Sequence, residues 1–196
     1  MTDRWLLGMI RPAAASGIGY GPVVKLGGSL LTRPAWPEEV ALLIASLNSP
    51  VIVVGGGPVV DGLRAIDTHR QQPAEVMHDL AIEAMRLTAR IVAEALALPG
   101  ATSFDPSTTG PTILDAKAWL ESAAAGRRLP SGWQFTSDSI AATVAAVIGR
   151  DLLLVKSLPP PCPGSDFALL STAGWVDEYF PTAAAGISRI GWAAPK

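Results

Sequence analysis

The sequence has one cysteine, two histidines and no run of positive charge, and each of these shortages excludes a class of protein. The lone Cys162 cannot form a disulfide within the chain, so we expect no disulfide framework and a reducing, cytoplasmic location. Two histidines and one cysteine, widely spaced, cannot make a zinc site. A net charge of −2 without a basic cluster argues against nucleic acid and against an anionic membrane surface as partners.

The sequence also lacks a segment that would cross a membrane or direct secretion. Residues 40–60 carry no charge and are long enough to span a bilayer, but "LNSP" and "GGGP" divide them into a helix, a turn, a strand and a loop. The N-terminal "MTDRWLLGMIRP" has a short apolar stretch, preceded by Asp3 and Arg4, with no clean cleavage site after it. We therefore expect no signal peptide.

Hydrophobic residues are abundant, at 49% of 196, which is enough for a sizeable core and predicts one domain over residues 1–196. Predicted strands and helices alternate along the chain, and the all-apolar strands "VIVV" and "LLLV" indicate a parallel sheet covered on both faces, an α/β fold. The segment "FALLSTAGWVDEYFP" is predicted to be a strand followed by a polar, aromatic stretch. The longest predicted helix spans about 75–97, with an apolar face formed by Met77, Leu80, Ile82, Met85, Leu87 and Ile91.

The stretch "GPVVKLGGSLL" places a lysine at the end of a buried strand and two glycines just after it. Val23 and Val24 suit a buried strand, and Lys25 follows them. Gly27 and Gly28 allow the backbone to turn tightly and to approach a bulky group. Because a lysine beside bare amide N–H groups suits a phosphate, the stretch indicates a phosphate site, although a strand and a simple turn would also explain it.

A second glycine-rich stretch, "VIVVGGGPVVDG", follows the next buried strand. Ligands of open α/β sheets bind at the carboxyl ends of the strands, which is where Gly55, Gly56 and Gly57 are expected. The helix that begins after them directs its positive end toward an anion. One glycine would suffice for a tight turn, so three glycines favour contact with a ligand.

The third stretch, "FTSDSIAATVAAVIGRDLLLVKS", puts a polar cluster before an alanine-rich helix and a second lysine, Lys156, after the next strand. Ser137 or Asp138 can cap that helix, which would explain one of them. A carboxylate at a helix N-terminus, with a lysine ending each of two strands, could also support phosphoryl transfer. A Walker loop is excluded, since Val155 stands where its glycine would precede the lysine of "KS".

Together and in this order, these three stretches resemble the amino acid kinase superfamily, which includes acetylglutamate, uridylate, aspartate and isopentenyl phosphate kinases. The resemblance covers most of residues 21–180. It implies a three-layer αβα sandwich around a mainly parallel sheet, the carbamate kinase-like fold. The small-molecule phosphate acceptor would lie in about residues 21–110 and ATP in about 111–196. The implied activity is that of an ATP-dependent kinase, with Mg²⁺ held mainly through ATP phosphates and not by protein ligands.

The resemblance also implies a role for each motif. Lys25, Asp138 and Lys156 are the implied catalytic residues, with Lys25 at the transferred phosphoryl group and Asp138 organising the lysines. The residues expected to bind ATP phosphates are Gly27, Gly28, Ser29 and Ser157. The residues expected to contact the acceptor are Gly55, Gly56, Gly57, Asp61, His78, Thr136 and Ser137.

Several of these residues also have a purely structural interpretation. His78 could be a surface or cap residue near the start of its helix, and Asp61 could simply favour its own helix N-terminus. Asp177 and Glu178 are expected to be solvated, although their segment could border the adenine. Most of the tryptophans at 36, 119, 133, 175 and 192 are expected to serve packing.

Within the superfamily, "HDLAIEAM" and "GWVDEYFP" resemble the small kinases of methanofuran-type cofactor synthesis, which convert an aminomethylfuran-methyl phosphate to its diphosphate. A metabolite kinase with a carboxylate, carbamate or nucleotide acceptor is the alternative, as is a non-catalytic nucleotide-binding storage or regulatory protein. Superfamily members commonly associate through helices that flank the acceptor half, so we expect a homo-oligomer.

One departure from the family pattern concerns the ATP half. Many members place a catalytic lysine in a late loop, but only Arg189 and Lys196 follow Lys156 as later cationic residues, and neither lies in a matching glycine-rich loop. Either Lys156 takes that role or the γ-phosphate is neutralised differently.

Overall fold

The computed structural model describes residues 4–11, 21–123, 129–162 and 166–196, and the predicted alternation of strands and helices is found there. The strands are Trp5–Arg11 (β1), Val23–Leu26 (β2), Val51–Val54 (β3), Gly100–Ala101 (β4), Thr112–Leu114 (β5), Leu152–Val155 (β6) and Ile190–Pro195 (β7). The α-helices are Trp36–Ala45 (α1), Gly57–His69 (α2), Ala74–Leu96 (α3), Ala116–Ser122 (α4), Ser137–Ile148 (α5), Phe167–Thr172 (α6) and Phe180–Ala183 (α7). A 3₁₀ helix spans Gly28–Thr32.

The strands form one sheet in the order β1-β7-β6-β2-β3-β5-β4. Every neighbouring pair is parallel except β1 with β7, which is antiparallel. One core packs α1 and the C-terminal half of α3 against one face of the sheet, and a second core packs α4, α5, α6 and α7 against the other. The predicted three-layer αβα sandwich is therefore confirmed.

Apart from Lys25, the residues of the central strands β2, β3 and β6 are apolar on both faces because helices cover both faces. Side chains alternate along β2, so Val24 and Leu26 enter the core with α1 while Val23 enters the core with α5. Lys25 lies between Val53 and Leu154 in the parallel register, and by the same alternation it shares the face of Val23. The pleat of the strand thus directs the lysine toward α5.

The structure corrects the prediction for "FALLSTAGWVDEYFP", where Phe167–Thr172 forms a helix and not a strand. Asp166 caps this helix, since its side chain accepts from the backbone N–H of Leu169. The place beside β6 in the sheet belongs instead to β7, which the sequence analysis missed together with β1 and β4. β7 has the sequence IGWAAP, with one β-branched residue and a proline, so it lacks the β-branched pattern that identifies a strand.

The predicted apolar face of α3 is correct in part. Met77, Ile82 and Met85 are buried, whereas Leu80, Leu87 and Ile91 are 43%, 54% and 52% exposed. Within the described residues, no helix is both long enough and apolar enough to cross a membrane.

The glycine loops that follow β2 and β3 lie against each other. A Cβ on Gly28 would come 2.2 Å from the carbonyl oxygen of Gly55 and 2.3 Å from the nitrogen of Gly57. Gly57 has φ +51°, a conformation that other residues rarely adopt. Two of these glycines are therefore required by the close contact between the loops, whether or not a ligand is present.

We predict that Gly28→Ala lowers the melting temperature by about 5 °C or more, because the methyl group meets backbone atoms and overpacking costs about 2 kcal/mol or more. Gly62→Ala is the matched control, since no atom lies within 4 Å of its Cβ position in α2. Removing a helical glycine there should raise stability by up to about 1 kcal/mol. Calorimetry that gives both variants the same melting temperature would contradict this account of the loops.

Candidate active site

A cavity of about 580 Å³ opens at the carboxyl ends of β2, β3 and β6. The glycine loops after β2 and β3 form part of its wall, and α2 and α5 begin beside it, so their positive ends lie at the cavity. The structure brings together at this cavity all of the site residues predicted from the sequence, namely Lys25, Gly27, Gly28, Ser29, Gly55, Gly56, Gly57, Asp61, His78, Thr136, Ser137, Asp138, Lys156 and Ser157.

The innermost part of the cavity is a charge cluster of two lysines and one aspartate. Lys25 Nζ lies 2.9 Å from Asp138 Oδ1, and Lys156 Nζ lies 2.8 Å from Asp138 Oδ2. Lys25 and Asp138 are 6% and 5% exposed, and the side chain of Lys156 is 15% exposed. The cluster joins β2, the first turn of α5 and the residue that follows β6.

The electrostatics of this cluster favour an anionic ligand. Burial alone would raise the pKa of the Asp138 carboxyl, but the charges of Lys156 and Lys25 outweigh it and bring that pKa to about 2. Burial lowers the pKa of the Lys156 ammonium, and Asp138 offsets this only in part while Lys25 adds to it. Two cations thus share one anion, and a phosphate could supply the missing negative charge.

The expectation that Ser137 or Asp138 caps α5 is wrong. The N-cap residue is Thr136, and its side chain makes no capping bond to the helix. The backbone N–H groups of Thr136 and Ser139 donate instead to Asp177 Oδ2, at 3.0 and 3.1 Å. The Thr136 hydroxyl donates to the same oxygen at 2.7 Å, and the Ser139 hydroxyl donates to Asp177 Oδ1. Asp177, which we expected to be solvated, is half-buried, and both of its carboxylate oxygens accept hydrogen bonds. Glu178 is exposed, as expected.

Trp175 contacts Lys156 in two ways that the sequence analysis did not predict. Its carbonyl oxygen accepts a hydrogen bond from Lys156 Nζ, and its ring lies 4.8 Å from that ammonium. Its indole N–H donates to the carbonyl oxygen of Leu158 at 3.1 Å. Trp175 and Trp133 line the cavity, while Trp36, Trp119 and Trp192 are buried packing residues.

Two hydroxyl groups bridge the loops after β2 and β6. Ser29 Oγ donates to Ser157 Oγ over 3.2 Å, and both residues line the cavity. Hydroxyl groups can donate or accept as a ligand requires, so this pair can bind a phosphate oxygen. The pair lies on the loops that also carry the two lysines.

At the α2 and α3 side of the cavity, aromatic and charged side chains meet. His78 is half-buried with its ring centroid 6.0 Å from that of Phe135, and burial lowers its pKa although a hydrogen bond with the Gly132 backbone opposes this. Asp61 lies in the second turn of α2, so it does not serve the helix N-terminus as we had considered; it pairs with Arg64 at 3.1 Å. Arg64, which the sequence analysis missed, lies 5.0 Å from the ring of Trp133.

The three glycines after β3 have structural causes beyond the ligand contact we predicted. A Cβ on Gly55 would lie 2.9 Å from Ser137 Oγ, and one on Gly56 would lie 2.2 Å from Val60 Cγ2. Because these glycines have no side chain, β3 and α5 can approach each other at Gly55, and Val60 of α2 can pack against Gly56. This close packing forms part of the cavity wall.

Where side chains are described, no group of three or more His, Cys, Asp or Glu residues could hold a metal ion. Both oxygens of Asp138 already face ammonium groups. The inner end of the cavity thus offers two ammonium groups to an anionic ligand.

Comparison with known proteins agrees with the fold. The model of the amino acid kinase family matches residues 22–157. The structure of uridylate kinase from Archaeoglobus fulgidus aligns with a TM-score of 0.59 at 15% identity, over 88% of this chain and 90% of that one. Aspartate kinase from Synechocystis aligns with a TM-score of 0.56 at 17% identity, over 88% of this chain but only 39% of that one. Among curated proteins, none matches by sequence.

We predict that Asp138→Asn lowers the free energy of unfolding at pH 7 by about 3 kcal/mol, because it leaves two largely buried ammonium groups without their counter-charge. The folded pKa of Asp138 is about 2, below its ordinary value of 3.8. The stabilisation by the carboxylate is therefore complete above about pH 4 and is lost as the pH falls toward 2.

Melting temperatures of the two proteins, measured from pH 7 to pH 2, should accordingly converge at the acidic end. Ser137→Ala, the neighbouring substitution without a charge change, should show a difference from the unmodified protein that does not depend on pH. A constant difference for Asp138→Asn over the same range would mean that the ion pairs do not stabilise the fold.

Proposed function

Since this chain belongs to the amino acid kinase family, we propose that it is an ATP-dependent phosphotransferase that converts a small phosphorylated acceptor to its diphosphate. The observation that carries the proposal is the cluster of Lys25, Asp138 and Lys156 at the inner end of the cavity. Phosphoryl transfer needs cations that are already in place where negative charge moves, and this cluster supplies two of them in a largely buried position.

In the proposed reaction, an oxygen of the acceptor phosphate attacks the γ-phosphorus of ATP in line with the bond to ADP. The new oxygen–phosphorus bond forms as the bond to the bridging oxygen breaks, and ADP leaves with that electron pair. Because the acceptor is already an anion, no general base is required, and catalysis consists of positioning and charge neutralisation. Lys25, on the central strand, would lie between donor and acceptor phosphates.

We assign ATP to the half of the chain at about residues 111–196 and the acceptor to the half at about 21–110. On the ATP side, Lys156 occupies the place of the second cation beside Asp138, which supports its taking the role of the absent late lysine. Ser29 and Ser157 would bind phosphate oxygens, and Mg²⁺ would be held through the phosphates of ATP. When bound, Mg²⁺ neutralises phosphate charge.

For the acceptor we propose an aminomethylfuran-methyl phosphate. The rings of His78, Phe135 and Trp133 line the cavity at its α2 and α3 side and would pack against a flat heterocycle bound there. The carboxylate of Asp61, at the same side, suits an ammonium group. These features support a ring-containing, positively substituted phosphate monoester.

A second candidate is a metabolite kinase with an acceptor that carries a carboxylate or a nucleotide phosphate. Arg64 favours it, because this cation lines the acceptor side and its stacking on Trp133 leaves donors available to an anion. The two candidates therefore differ in whether Asp61 or Arg64 contacts the acceptor.

The experiment that tests the proposal measures ADP release with aminomethylfuran-methyl phosphate, UMP and acetylglutamate as separate acceptors. Turnover with the furan phosphate at the highest kcat/KM is the expected result. A preference for UMP or acetylglutamate would replace the proposed acceptor by the second candidate. Tight ATP binding without turnover of any acceptor would contradict the kinase activity and favour a storage or regulatory role.

We predict that Lys25→Ala lowers kcat by about a hundredfold or more, the effect of one preorganised electrostatic group. The affinity for ATP, measured by calorimetry, should change little. Lys117→Ala is the control. Lys117 lies on α4, does not line the cavity, and pairs with Glu83 of α3 and Glu121 of α4. Full kcat in Lys25→Ala would leave this lysine as a strand-end residue without a part in transfer.

A further inference from the structure

We propose that Asp177 is a positioning residue that holds Asp138 between the two lysines by fixing the first turn of α5. The expected effect of Asp177 on kcat rests on the proposed function, whereas its effect on the positions of Asp138 and the lysines does not. The residue does not touch Asp138; it acts on Asp138 through Thr136, which precedes α5, and Ser139, which lies in its first turn. The charge of Asp177 also acts directly on Lys156.

The side-chain hydrogen bonds shown for Asp177 all go to Thr136 and Ser139 at the start of α5. One carboxylate accepts from the backbone N–H and the hydroxyl of Thr136 and from the backbone N–H and the hydroxyl of Ser139. Asp115 and Asp166 cap α4 and α6 differently, each accepting from an N–H three residues along the chain. At α5 the cap instead comes from a segment 38 to 41 residues away. The first turn is thereby fixed to another part of the fold.

This anchoring determines where Asp138 lies, because Asp138 stands between Thr136 and Ser139 in the sequence. Its carboxylate must meet Lys25 at 2.9 Å and Lys156 at 2.8 Å at once. Helix termini fray unless they are capped, and a displacement of about 1 Å at a catalytic group can cost about a hundredfold in rate. A bond network on both sides of Asp138 removes that freedom.

The same segment also holds the second lysine. Trp175, two residues before Asp177, accepts a hydrogen bond from Lys156 Nζ through its carbonyl oxygen and places its ring over that ammonium. Residues 175–177 therefore fix both the helix that carries the anion and one of the two cations. An ordinary helix cap would need only the bonds to the backbone N–H groups of α5.

The first test observes the lysines directly, without turnover. The chain has only four lysines, so NMR of protein labelled at lysine Nζ and Cε gives few signals, which Lys→Arg substitutions assign. In Asp177→Ala we expect the Lys25 and Lys156 signals to shift and the Lys117 signal to stay. The Lys25 signal decides the test, because the charge of Asp177 also acts directly on Lys156. Asp166→Ala, which removes a local cap outside the cavity lining, should leave all of them unchanged.

The second test is kinetic. Asp177→Ala should lower kcat about tenfold to a hundredfold per folded molecule, with the affinity for ATP within about threefold of that of the unmodified protein. Asp177→Asn should recover most of kcat, because one amide oxygen can still accept the three bonds made to Oδ2. Ser139→Ala removes one of the four hydrogen bonds, so its kcat should lie between those of Asp177→Ala and Asp177→Asn.

The outcomes separate positioning from a merely structural cap. A lower melting temperature in Asp177→Ala with unchanged lysine signals and unchanged kcat per folded molecule would overturn the proposal. If Asp177→Ala does not fold, Asp177→Asn and Ser139→Ala decide: unperturbed Lys25 and Lys156 signals in Ser139→Ala would count against it. If the unmodified protein turns over no acceptor, the proposed function fails. The NMR signals of the lysines still test the role of Asp177, because that measurement does not require turnover.

Discussion

The contact of one carboxylate with two lysines is the interaction on which the site depends. Lys25 is on the central strand of the sheet, among residues that are otherwise apolar and buried, where an unpaired charge would be very costly. Asp138 makes that position tolerable only if α5 lies across the same face and the residue after β6 lies beside it. The order of the strands and the placement of α5 are thus constrained by one ionic cluster as well as by packing.

Close packing of backbones creates the space in front of this cluster. Gly28 and Gly57 let the loops after β2 and β3 meet, and Gly55 lets the first of these loops and α5 approach β3. The glycine loops therefore form a stretch of wall without side chains beside the charge cluster. A small anion can reach the lysines there, whereas the aromatic residues and Arg64 lie at the α2 and α3 side.

The sequence predicted the parts whose causes are local. Apolar strands, glycine loops and an alanine-rich helix are each encoded in consecutive residues, so β2, β3, β6, α5 and the residues that meet at the cavity could be predicted from them. The partners of these residues did not follow, because Asp177 reaches Thr136 from 41 positions away and no local pattern encodes that bond. β7 was not predicted for a different reason. All of its residues are buried by neighbouring elements, but its sequence IGWAAP lacks the pattern of a strand.

The chain after β6 holds the cluster in place. The two ammonium groups lie 2.9 and 2.8 Å from different oxygens of Asp138, so one carboxylate pairs with both cations. What the cluster still needs is rigidity, because Lys156 is a long side chain and α5 begins without a local side-chain cap. The carbonyl of Trp175 and the carboxylate of Asp177 supply it from positions two residues apart. Residues 175–177 thus hold Lys156 and the first turn of α5 in place, and the charge of Asp177 also favours the ammonium form of Lys156.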